Sequence, residues 1–418
     1  MRTQTSNFTK KAGSDTMELQ RCPKASVDTG IRTMLPAETL KRVLPLLSPA
    51  GLEPLEDITT KDNIGIPVFS ISRKNTAHGK AKFYNGKGPT PEQAKASAIM
   101  EAMERYSAEL RDTDEIVYGT FEQASENGFT LDPAEMILPM RTSNFVNEVI
   151  AWCPGYEMFR GEEIWVPACA VYHPYFPDGD FQLFRFHTNG IASGNTMEEA
   201  ILHGTLELIE RDAWSICEYR EKAKADVIVD DDSLCAQLIK KFSDRGVEIY
   251  LKDLTSDIGI PTIGAAADDV ATKDPELLTI GVGTHLNPEI AAVRALTEVA
   301  QSRTTHKHGS KINAQLQRIS QEMGYEKVKN ANRVWYSKMS STVRLSDMKR
   351  LDTPYVLDDI EVVFDRLIEC GFDKVIAVDI TRPEVMVPSV RMIIPGLEVS
   401  TMDPEREGPR LNGTWKRS

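Results

Sequence analysis

The sequence lacks the features of zinc-thiolate, disulfide-bonded and membrane-bound proteins. Its 6 cysteines are scattered, with no Cys-x-x-Cys pair and no close Cys/His spacing, which argues against a zinc site and a disulfide framework. The first residues contain no apolar core of a signal peptide. No apolar run approaches the roughly 18 residues that a membrane helix needs. We therefore expect a cytoplasmic protein with no membrane partner.

Several common catalytic and nucleotide-binding motifs are also missing. There is no Walker A motif, and the Gly-Val-Gly turn at 281–283 lacks the third glycine of a dinucleotide fingerprint. No Ser-His-Asp or Cys-His set can be assembled from the spacing, and Cys217 is expected to be a buried packing residue. The net charge of −13 argues against a nucleic-acid partner. It still permits nucleotides held through metal ions.

What is present is the composition of an ordinary globular protein, with 41% hydrophobic and 27% charged residues over 418 positions. Strands and helices alternate in the second half of the chain, which favours an α/β fold. The predicted strands cover residues 64–72, 80–84, 165–172, 227–229, 248–252, 262–266, 278–282, 375–379 and 390–394. The predicted helices cover residues 36–47, 91–111, 197–222, 232–245, 288–303 and 358–372.

The most informative pattern is Glu-x-x-Glu-Arg, which occurs twice. On a helix, the two Glu of each copy share one face and the Arg can reach the first Glu at i+4. The two copies are Glu101, Glu104 and Arg105, and Glu207, Glu210 and Arg211.

The surroundings of the two copies also match. An Asn-Gly turn at 85–86 precedes Thr90, and another at 189–190 precedes Thr196. Each threonine is placed to cap the helix that carries the motif, and Glu199 stands at the capping-box position of the second helix. We interpret the pattern as a degenerate duplication of a turn–helix unit, whose two halves face each other across a common site.

A third helix, capped by Asn287, carries Arg294 and Glu298 as an i,i+4 pair. Glutamates on three facing helices would repel one another unless something neutralises them. Carboxylates without Cys or His in support indicate Mg²⁺, and the phosphates of a nucleoside triphosphate would complete its ligands. Arg211 and Arg294 are then candidates to bind or polarise phosphate oxygens.

The same pattern also fits three amphipathic helices with ordinary surface Glu–Arg pairs, each worth a few tenths of a kcal/mol. Arg32 likewise fits a solvated loop residue. The residue spacing alone leaves both readings open.

Three ordered blocks resemble the signature blocks of the YcaO family: GKGPTPEQAKASAIMEAMERY, NGIASGNTMEEAILHGTLELIERDA and GTHLNPEIAAVRALTEVAQSR. The resemblance extends over residues 30–400. It implies the YcaO fold, an α/β arrangement with duplicated sheet–helix elements around a site for ATP and several Mg²⁺ ions. Family members phosphorylate a peptide amide oxygen after a nucleophile adds to the carbonyl, and they form azolines, macroamidines or thioamides.

The resemblance also implies roles for single residues. Its Mg²⁺ positions are Glu101, Glu104, Asn195, Glu199, Glu207 and Glu210. Its phosphate and nucleotide positions are Arg211, Arg294 and Glu298, of which the two arginines are the expected catalytic residues. Arg32 and Thr39 keep the spacing of a basic residue and a hydroxyl that touch ATP. Some members carry a Ser where this chain has Ala192, and Ser193 is taken as the ATP-binding position instead.

The stretch at 379–408 resembles the branch that works with a TfuA-like partner. That branch includes methanogen proteins that thioamidate a backbone glycine in the α subunit of methyl-coenzyme M reductase. We therefore expect ATP- and Mg²⁺-dependent thioamidation of such a peptide amide, with a sulfide source and a homodimeric enzyme. The Pro-rich C-terminus that assists azoline formation is replaced here by Asn-Gly-Thr-Trp-Lys-Arg-Ser.

Two alternatives remain, an azoline-forming cyclodehydratase of a ribosomal peptide and a non-catalytic ATP-binding accessory protein of a sulfur-transfer complex. We divide the chain into an N-terminal extension with a helix contributing to the ATP site (1–60), a YcaO domain (61–400) and a polar tail (401–418). Residues 1–30 are expected to be mobile at the start, and the tail is expected to be loosely held.

Overall fold

The computed structural model describes residues 17–26, 30–74, 76, 79, 81–308 and 314–415. Part of the start that was predicted to be mobile, residues 1–16 and 27–29, lies outside this range. The described chain forms twelve α-helices and fourteen β-strands in three sheets. Long helices pack on these sheets, so the predicted α/β class is confirmed. None of the described helices has the length and apolar character needed to cross a membrane.

The helices are α1 (Pro36–Val43), α2 (Pro91–Ser107), α3 (Phe121–Asn127), α4 (Ala168–Val171), α5 (Met197–Tyr219), α6 (Leu234–Ser243), α7 (Pro288–Lys307), α8 (Ala314–Met323), α9 (Tyr325–Ala331), α10 (Arg333–Tyr336), α11 (Val356–Glu369) and α12 (Pro409–Asn412). The strands are β1 (Glu56–Asp57), β2 (Val68–Arg73), β3 (Lys82–Lys87), β4 (Val117–Gly119), β5 (Ile150–Glu157), β6 (Glu162–Pro167), β7 (Ile191–Ser193), β8 (Ala225–Ile228), β9 (Val247–Asp253), β10 (Thr262–Asp269), β11 (Thr279–Thr284), β12 (Thr342–Arg344), β13 (Ile376–Asp379) and β14 (Ser389–Ile393).

The first sheet has the antiparallel order β1-β2-β3. The second has the order β11-β10-β9-β8-β12 and is antiparallel except for the pair β8–β12. The third has the order β4-β5-β13-β14-β7, with β6 also paired to β5. The strand–helix–strand run β8-α6-β9 thus joins two antiparallel neighbours, and the predicted alternation does not produce a parallel layer here.

One strand of each sheet leads directly into a long helix, as β3–α2, β7–α5 and β11–α7. Each helix begins at the predicted cap, because the side chains of Thr90, Thr196 and Asn287 accept hydrogen bonds from backbone N–H groups in the first turn. In each pair the helix packs against its own strand. The structure therefore contains three related strand–helix units, one more than the duplication predicted.

Glycines allow the helices to pack so closely on the sheets that backbone contacts backbone. A Cβ at Gly86 would collide with the backbone of Ala98 in α2, and a Cβ at Gly283 with the backbone of Ala291 in α7. Gly194 meets the first turn of α5 in the same way. Because no side chain fits between strand and helix, these glycines fix where each helix starts relative to its sheet.

Three predicted boundaries are wrong. Residues 85–86 form no turn, since they pair with residues 69–70 of β2 and lie inside β3. Strand β6 ends at Pro167, which has no N–H to continue the ladder, and a short helix follows where residues 165–172 were predicted to be one strand. Helix α2 ends at Ser107, before the predicted end at 111.

The C-terminal segment is held firmly, contrary to expectation. Arg410 donates two hydrogen bonds to Asp212, at 2.8 and 2.9 Å, and a third to Asp257 at 2.7 Å. The ring of Trp415 stacks on Phe372 with the centroids 5.0 Å apart. The buried Arg410–Asp212 pair thus ties this polar segment to α5, and Trp415 ties it to Phe372 after α11, while residues 416–418 lie outside the described range. The division at 60 and 400 stays an interpretation.

Candidate functional site

The three long helices direct glutamates into one cleft between the sheets. These residues are Glu101 and Glu104 on α2, Glu207 and Glu210 on α5, and Glu298 on α7. Burial raises the pKa values of Glu101, Glu104 and Glu210, and for each of them a carboxylate on another of these helices adds to the rise. The cleft is therefore a site shared by all three strand–helix units.

Glu104 lies deep in the cleft, with 9% of its surface exposed. Burial raises the pKa of its carboxyl to about 8, with Glu101 and Glu207 adding to the rise and Arg105 opposing it. Glu101 keeps 35% of its side-chain surface open to solvent. Burial still raises its pKa, because protein surrounds the carboxyl group, and Glu207 and Glu298 act in the same direction. The glutamates of α2 thus interact electrostatically with glutamates of both α5 and α7.

Glu210 links α5 to the third unit directly. Its carboxylate accepts a hydrogen bond of 2.9 Å from the backbone N–H of Thr284, at the end of β11. Burial raises the pKa of Glu210 to about 7, with Glu298 adding to the rise while Arg294 and Arg211 oppose it. Near neutral pH a carboxyl group with this pKa is partly protonated, and a neighbouring cation favours its charged form.

Lys87 at the end of β3 is the ion-pair partner of Glu298, with Nζ 2.5 Å from Oε2. Burial would raise the pKa of Glu298, but Lys87, Arg211 and Arg294 outweigh it, so the pKa is lowered. The expected i,i+4 pair of Arg294 with Glu298 is not an ion pair among the described residues. Lys87, from another strand–helix unit, pairs with the Glu298 carboxylate instead, so Arg294 has no ion-pair partner among the described residues.

The arginines of the cleft are poorly paired. Arg105 lies 3.9 Å from both Glu101 and Glu104, beyond hydrogen-bond distance. The guanidinium of Arg211 lies over the ring of Trp214, 4.9 Å from its centroid. Buried nitrogens of Arg105, Arg211 and Arg294 have no hydrogen-bond partner within the described part of the chain. Buried N–H donors without acceptors are rare and fit an anionic ligand with several oxygens.

The cleft fits Mg²⁺ bound together with phosphate groups. Its donors are carboxylate oxygens, which Mg²⁺ prefers, and carboxyl groups with raised pKa values gain from a divalent cation that favours their charged forms. Within the described residues, no three His, Cys, Asp or Glu side chains are already arranged to hold an ion. Mg²⁺ usually takes one or two carboxylates and completes its shell with water and substrate phosphates.

A second group of predicted residues meets at the start of α5. The carboxylate of Glu199 accepts hydrogen bonds from Thr33 Oγ1 at 2.5 Å and from the Asn195 backbone N–H at 3.0 Å. Arg32 reaches the same carboxylate at 3.4 Å. Thr39 Oγ1 donates to Asn195 Oδ1 at 3.0 Å. Arg32 and Thr39 thus lie beside Glu199 and Asn195, and the side chain of Arg32 is 33% exposed and paired with a buried carboxylate. Their contact with ATP stays a prediction.

Glu199 is brought together with Asn195, but not with the glutamates of the cleft. It lies two helical turns from Glu207, about 12 Å along α5. Its oxygens are already occupied, so it would have to exchange partners to bind a metal ion. His203 stands midway between Glu199 and Glu207, and burial together with Arg294 and Arg32 lowers its pKa well below the usual range. A neutral imidazole therefore separates the two groups.

Ser193 faces the cleft, whereas Ala192 does not. Ser193 Oγ donates to the carboxylate of Glu104 at 3.3 Å and to the backbone oxygen of Met100 at 3.1 Å. Ala192 packs in the hydrophobic core under α5. Because neighbouring residues of a strand point to opposite faces, only one of the two can reach α2.

The sequence patterns did not single out Lys87, Thr33, His203 or Arg391. Lys87 lies inside the quoted Gly-Lys-Gly block, so a cation between a strand and a helix cap was a usable signal. Arg391 interrupts an apolar strand, which is also unusual for a buried position. Thr33 carries no comparable signal, because a contact distant in sequence brings it to Glu199. His203 lies four residues from both Glu199 and Glu207 on α5, so helical spacing could have indicated it.

A family model described as "YcaO cyclodehydratase, ATP- and Mg²⁺-binding" matches residues 85–398 of this chain. An uncharacterised protein of Methanothermobacter thermautotrophicus is 47% identical over 382 residues, which cover 91% of this chain and 98% of that protein. A protein encoded in the tfuA 3′ region of Rhizobium leguminosarum bv. trifolii is 29% identical, covering 91% of this chain and 92% of that protein.

The fold is also similar to the structure of YcaO from Methanopyrus kandleri bound with AMPPCP and Mg²⁺. The two are 30% identical with a TM-score of 0.78, and the match covers 93% of this chain and 98% of that one. A family model that spans three quarters of the chain agrees with relatives matched over nearly their full lengths. The chain belongs to the YcaO family, whose members bind ATP and Mg²⁺.

Proposed function

We propose that this protein uses ATP and Mg²⁺ to convert a peptide backbone amide into a thioamide, with a glycine of the methyl-coenzyme M reductase α subunit as substrate. Two methanogen relatives at 47% and 30% identity, both matched over 98% of their length, support the substrate. The relative encoded beside tfuA supports a TfuA-like partner.

The observation that carries the proposal is the cleft itself. Carboxylate oxygens and unpaired guanidinium N–H groups converge there from three separate strand–helix units. Carboxylates suit Mg²⁺ and guanidinium groups suit phosphate oxygens, so a nucleoside triphosphate with its metal ions neutralises both. An ordinary cluster of surface ion pairs would leave neither buried nor unpaired.

The proposed reaction balances without a redox step. Hydrosulfide adds to the amide carbon, ATP supplies a phosphoryl group to the resulting oxyanion, and loss of hydrogen phosphate with the S–H proton leaves C=S. The products are thioamide, ADP and phosphate. The chain's own groups would contribute positioning and charge neutralisation, which dominate in phosphoryl transfer.

In this proposal the cleft residues handle the triphosphate. Glu101, Glu104, Glu207 and Glu210 hold Mg²⁺. Arg211 and Arg294 bind the phosphate oxygens with nitrogens that are unpaired among the described residues, and they would stabilise the charge that develops there. Lys87 neutralises Glu298 at the edge of this group, at 2.5 Å.

The residues around the start of α5 would hold the rest of the nucleotide. Asn195, Thr39 and Arg32 already touch one another or the carboxylate of Glu199. Asn195 and Glu199 would supply further Mg²⁺ ligands by exchanging these contacts. Ser193 would orient Glu104 through its hydroxyl and take part in binding ATP. In this proposal the nucleotide would lie along α5.

The product tests the proposal. Purified protein, its TfuA-like partner, ATP, Mg²⁺ and sulfide are incubated with the glycine-containing peptide, and the peptide is weighed by mass spectrometry. Replacement of oxygen by sulfur is the expected result. Loss of water would instead identify an azoline-forming enzyme, and ATP binding without phosphate release would identify an accessory protein.

The metal assignment is tested with Glu104→Gln and Glu207→Gln, which keep the size of the side chain and remove its charge. Mg²⁺-dependent ATP binding should be lost in both. Glu92→Gln, at the exposed first turn of α2, is the matched control and should bind normally. Unchanged nucleotide affinity in both cleft variants would overturn the metal assignment.

The assembly proposed with this activity is a homodimer that receives sulfide with the help of a TfuA-like protein. Sedimentation of the chain alone and with that protein, in the presence of ATP and Mg²⁺, measures both associations. A monomer that turns over at full rate without the partner would contradict the assembly while leaving the chemistry in place.

A further inference from the structure

A small cavity lies where β14 meets the turn before β7. Its volume is about 50 Å³, and Asn189, His187, Leu208, Arg391 and Arg406 are among its lining residues. A cavity of about 10–15 Å³ on this measure already holds one water molecule, so this cavity has room for a small ligand of a few heavy atoms.

The cavity has an excess of positive charge, because Arg391 and Arg406 line it together with one carboxylate, Glu398, which already accepts hydrogen bonds from the backbone N–H groups of residues 408, 410 and 411. Arg391 and Arg406 are 4% and 6% exposed, and neither forms an ion pair with a residue in the described part of the chain. Arg391 donates to the backbone oxygen of His187 at 2.9 Å, and Arg406 meets the His187 Nε2 at 3.0 Å. Burial, helped by the two arginines, lowers the pKa of His187. Two buried guanidinium groups around a neutral imidazole are costly without an anion.

Two polar atoms at the cavity have no hydrogen-bond partner in the described part of the chain. Asn189 is 2% exposed, yet its Oδ1 accepts no hydrogen bond from any described residue. The Nε of Arg391 is likewise buried without an acceptor. Buried groups left unsatisfied cost about 1–3 kcal/mol each, so such atoms indicate a ligand. One of these atoms donates and the other accepts.

The cavity adjoins the cleft that holds the glutamates. Leu208, which follows Glu207 on α5, lines it. Arg391 pairs in register with Ile191 of β7, two residues from Ser193, so it points to the same face of the sheet as the side chain that contacts Glu104. Burial lowers the pKa of Arg391 to about 9, and Glu207 opposes this more than any other charge.

Mg²⁺ bound in the cleft would alter the surroundings of Arg391. If Glu207 binds Mg²⁺, as proposed above, its carboxylate no longer compensates the charge of Arg391. A monovalent anion in the cavity would restore the balance. Binding of the metal and binding of the anion should therefore support each other.

We infer that this cavity binds the small anionic sulfur nucleophile, of the hydrosulfide class, that attacks the amide carbon. The inference rests on the proposed function. The sulfur accepts from Arg391 Nε and the S–H donates to Asn189 Oδ1, which satisfies both unpaired atoms. In the step itself the sulfur forms a bond to the amide carbon, and the C=O π electrons move to the oxygen that is then phosphorylated.

Anion binding is tested without the reaction. Bromide, a monovalent anion of similar size, is soaked into crystals of the protein, and its anomalous signal is mapped. A peak within hydrogen-bond reach of Arg391 and Asn189 is expected. It should vanish in Arg391→Met and persist in Arg185→Met, whose side chain is 68% exposed. No peak in the unmodified protein would overturn the inference.

Sulfide dependence gives the second test. Arg391→Met should raise the KM for sulfide about tenfold or more, as expected for loss of a charge-assisted hydrogen bond, and should raise the KM for ATP less. Asn189→Ala, which keeps the charge, should raise it less, and Arg391→Lys should restore part of the loss. An unchanged KM for sulfide in the first two variants contradicts the inference. If no peptide is thioamidated, the proposed function fails, and the bromide map still decides the anion site.

Discussion

The two sides of α5 treat buried charge in opposite ways. Arg211 points into the cleft, and its Nε has no hydrogen-bond partner among the described residues. Its neighbour Asp212 points to the other side, where Arg410 binds it twice and also reaches Asp257. The difference indicates that charges which hold the fold are paired within the chain. Charges that act on a ligand are left open for it.

The same contrast holds elsewhere in the molecule. Arg303 is fully buried and binds Asp62 at 2.9 Å and Asp269 at 3.0 Å, which fixes α7 on the second sheet. Arg294 on the same helix, less than three turns away, forms no ion pair with any described residue. Each of the two arginines has one buried nitrogen without an acceptor in the described part of the chain, so the ion pairs mark the contrast. Pairing therefore separates structural from ligand-binding arginines within single helices.

The largest expected effect is on the paired side. Arg410→Met leaves Asp212, whose side chain is 0% exposed, without its cation. Breaking one partner of a buried pair costs about 3–5 kcal/mol, and urea unfolding should show a loss of that size. Arg333→Met, at a pair that is more than half exposed, is the control and should change stability by less than about 1 kcal/mol.

Arg211→Met completes this test on the open side. Arg211 forms no ion pair with a described residue but partly compensates the carboxylates of Glu210 and Glu298, so the loss in the free energy of unfolding should be smaller than for Arg410→Met. A loss equal to that of Arg410→Met would remove the distinction between the two sides of α5.

A smaller effect is expected from pH on the cleft side alone. Burial raises the pKa of Glu104 from 4.5 to about 8 in the folded protein. The folded state thus keeps a proton that the unfolded chain releases, and this contribution to stability is full below the lower value and is lost as pH rises through the higher one. Urea unfolding across this window, with chelator present, should show the decline.

Glu104→Gln should flatten this pH dependence, because the amide does not titrate. Arg410→Met should lower stability at every pH and keep the slope. An unaltered slope in Glu104→Gln would show that other groups cause the decline.

Nucleotide affinity should respond next. Arg294→Met removes a charge-assisted contact to phosphate worth about 1.5–3 kcal/mol, so the Kd for an ATP analogue with Mg²⁺ should rise roughly tenfold to a hundredfold. Calorimetric titration measures this change. Arg318→Met, with a side chain that is 81% exposed, should bind normally. Equal affinity in the two variants would remove Arg294 from the nucleotide site.

The smallest effect is expected at the end of the tail. Trp415→Ala removes a stacked, half-buried ring, and we expect a loss of about 1 kcal/mol in the free energy of unfolding. Nucleotide affinity should not change, because this ring lies on the paired side of α5. A fall in affinity would mean that the tail supports the cleft as well as the fold.

Local features of the fold were predictable from the sequence. The caps at Thr90, Thr196 and Asn287 were placed correctly, because each capping oxygen lies three positions or fewer from the backbone N–H that donates to it, so the signal is local in sequence. Most strands of the second half were placed within a few residues for the same reason. Boundaries set by strand pairing were not predictable, since residues 85–87 have the composition of a turn and belong to β3 because they pair with residues 68–70 of β2.

The residues of the site were likewise predictable only where the signal is local in sequence. The repeated motif located Glu101, Glu104, Glu207 and Glu210, since residues on one helical turn share a face. It gave no information about partners that come from far along the chain. Lys87 pairs with Glu298 across more than two hundred positions, and no periodicity records such a contact.

The glycines between strands and helices have one further consequence. Where backbone rests on backbone, the spacing does not depend on side-chain packing, so changes in the hydrophobic cores cannot easily move the helix starts. Gly86, Gly194 and Gly283 thus determine how closely the helices approach the sheets, and this spacing sets the geometry of the cleft. Directed evolution for new peptide substrates should be able to alter surrounding loops freely, provided these three positions stay without a side chain.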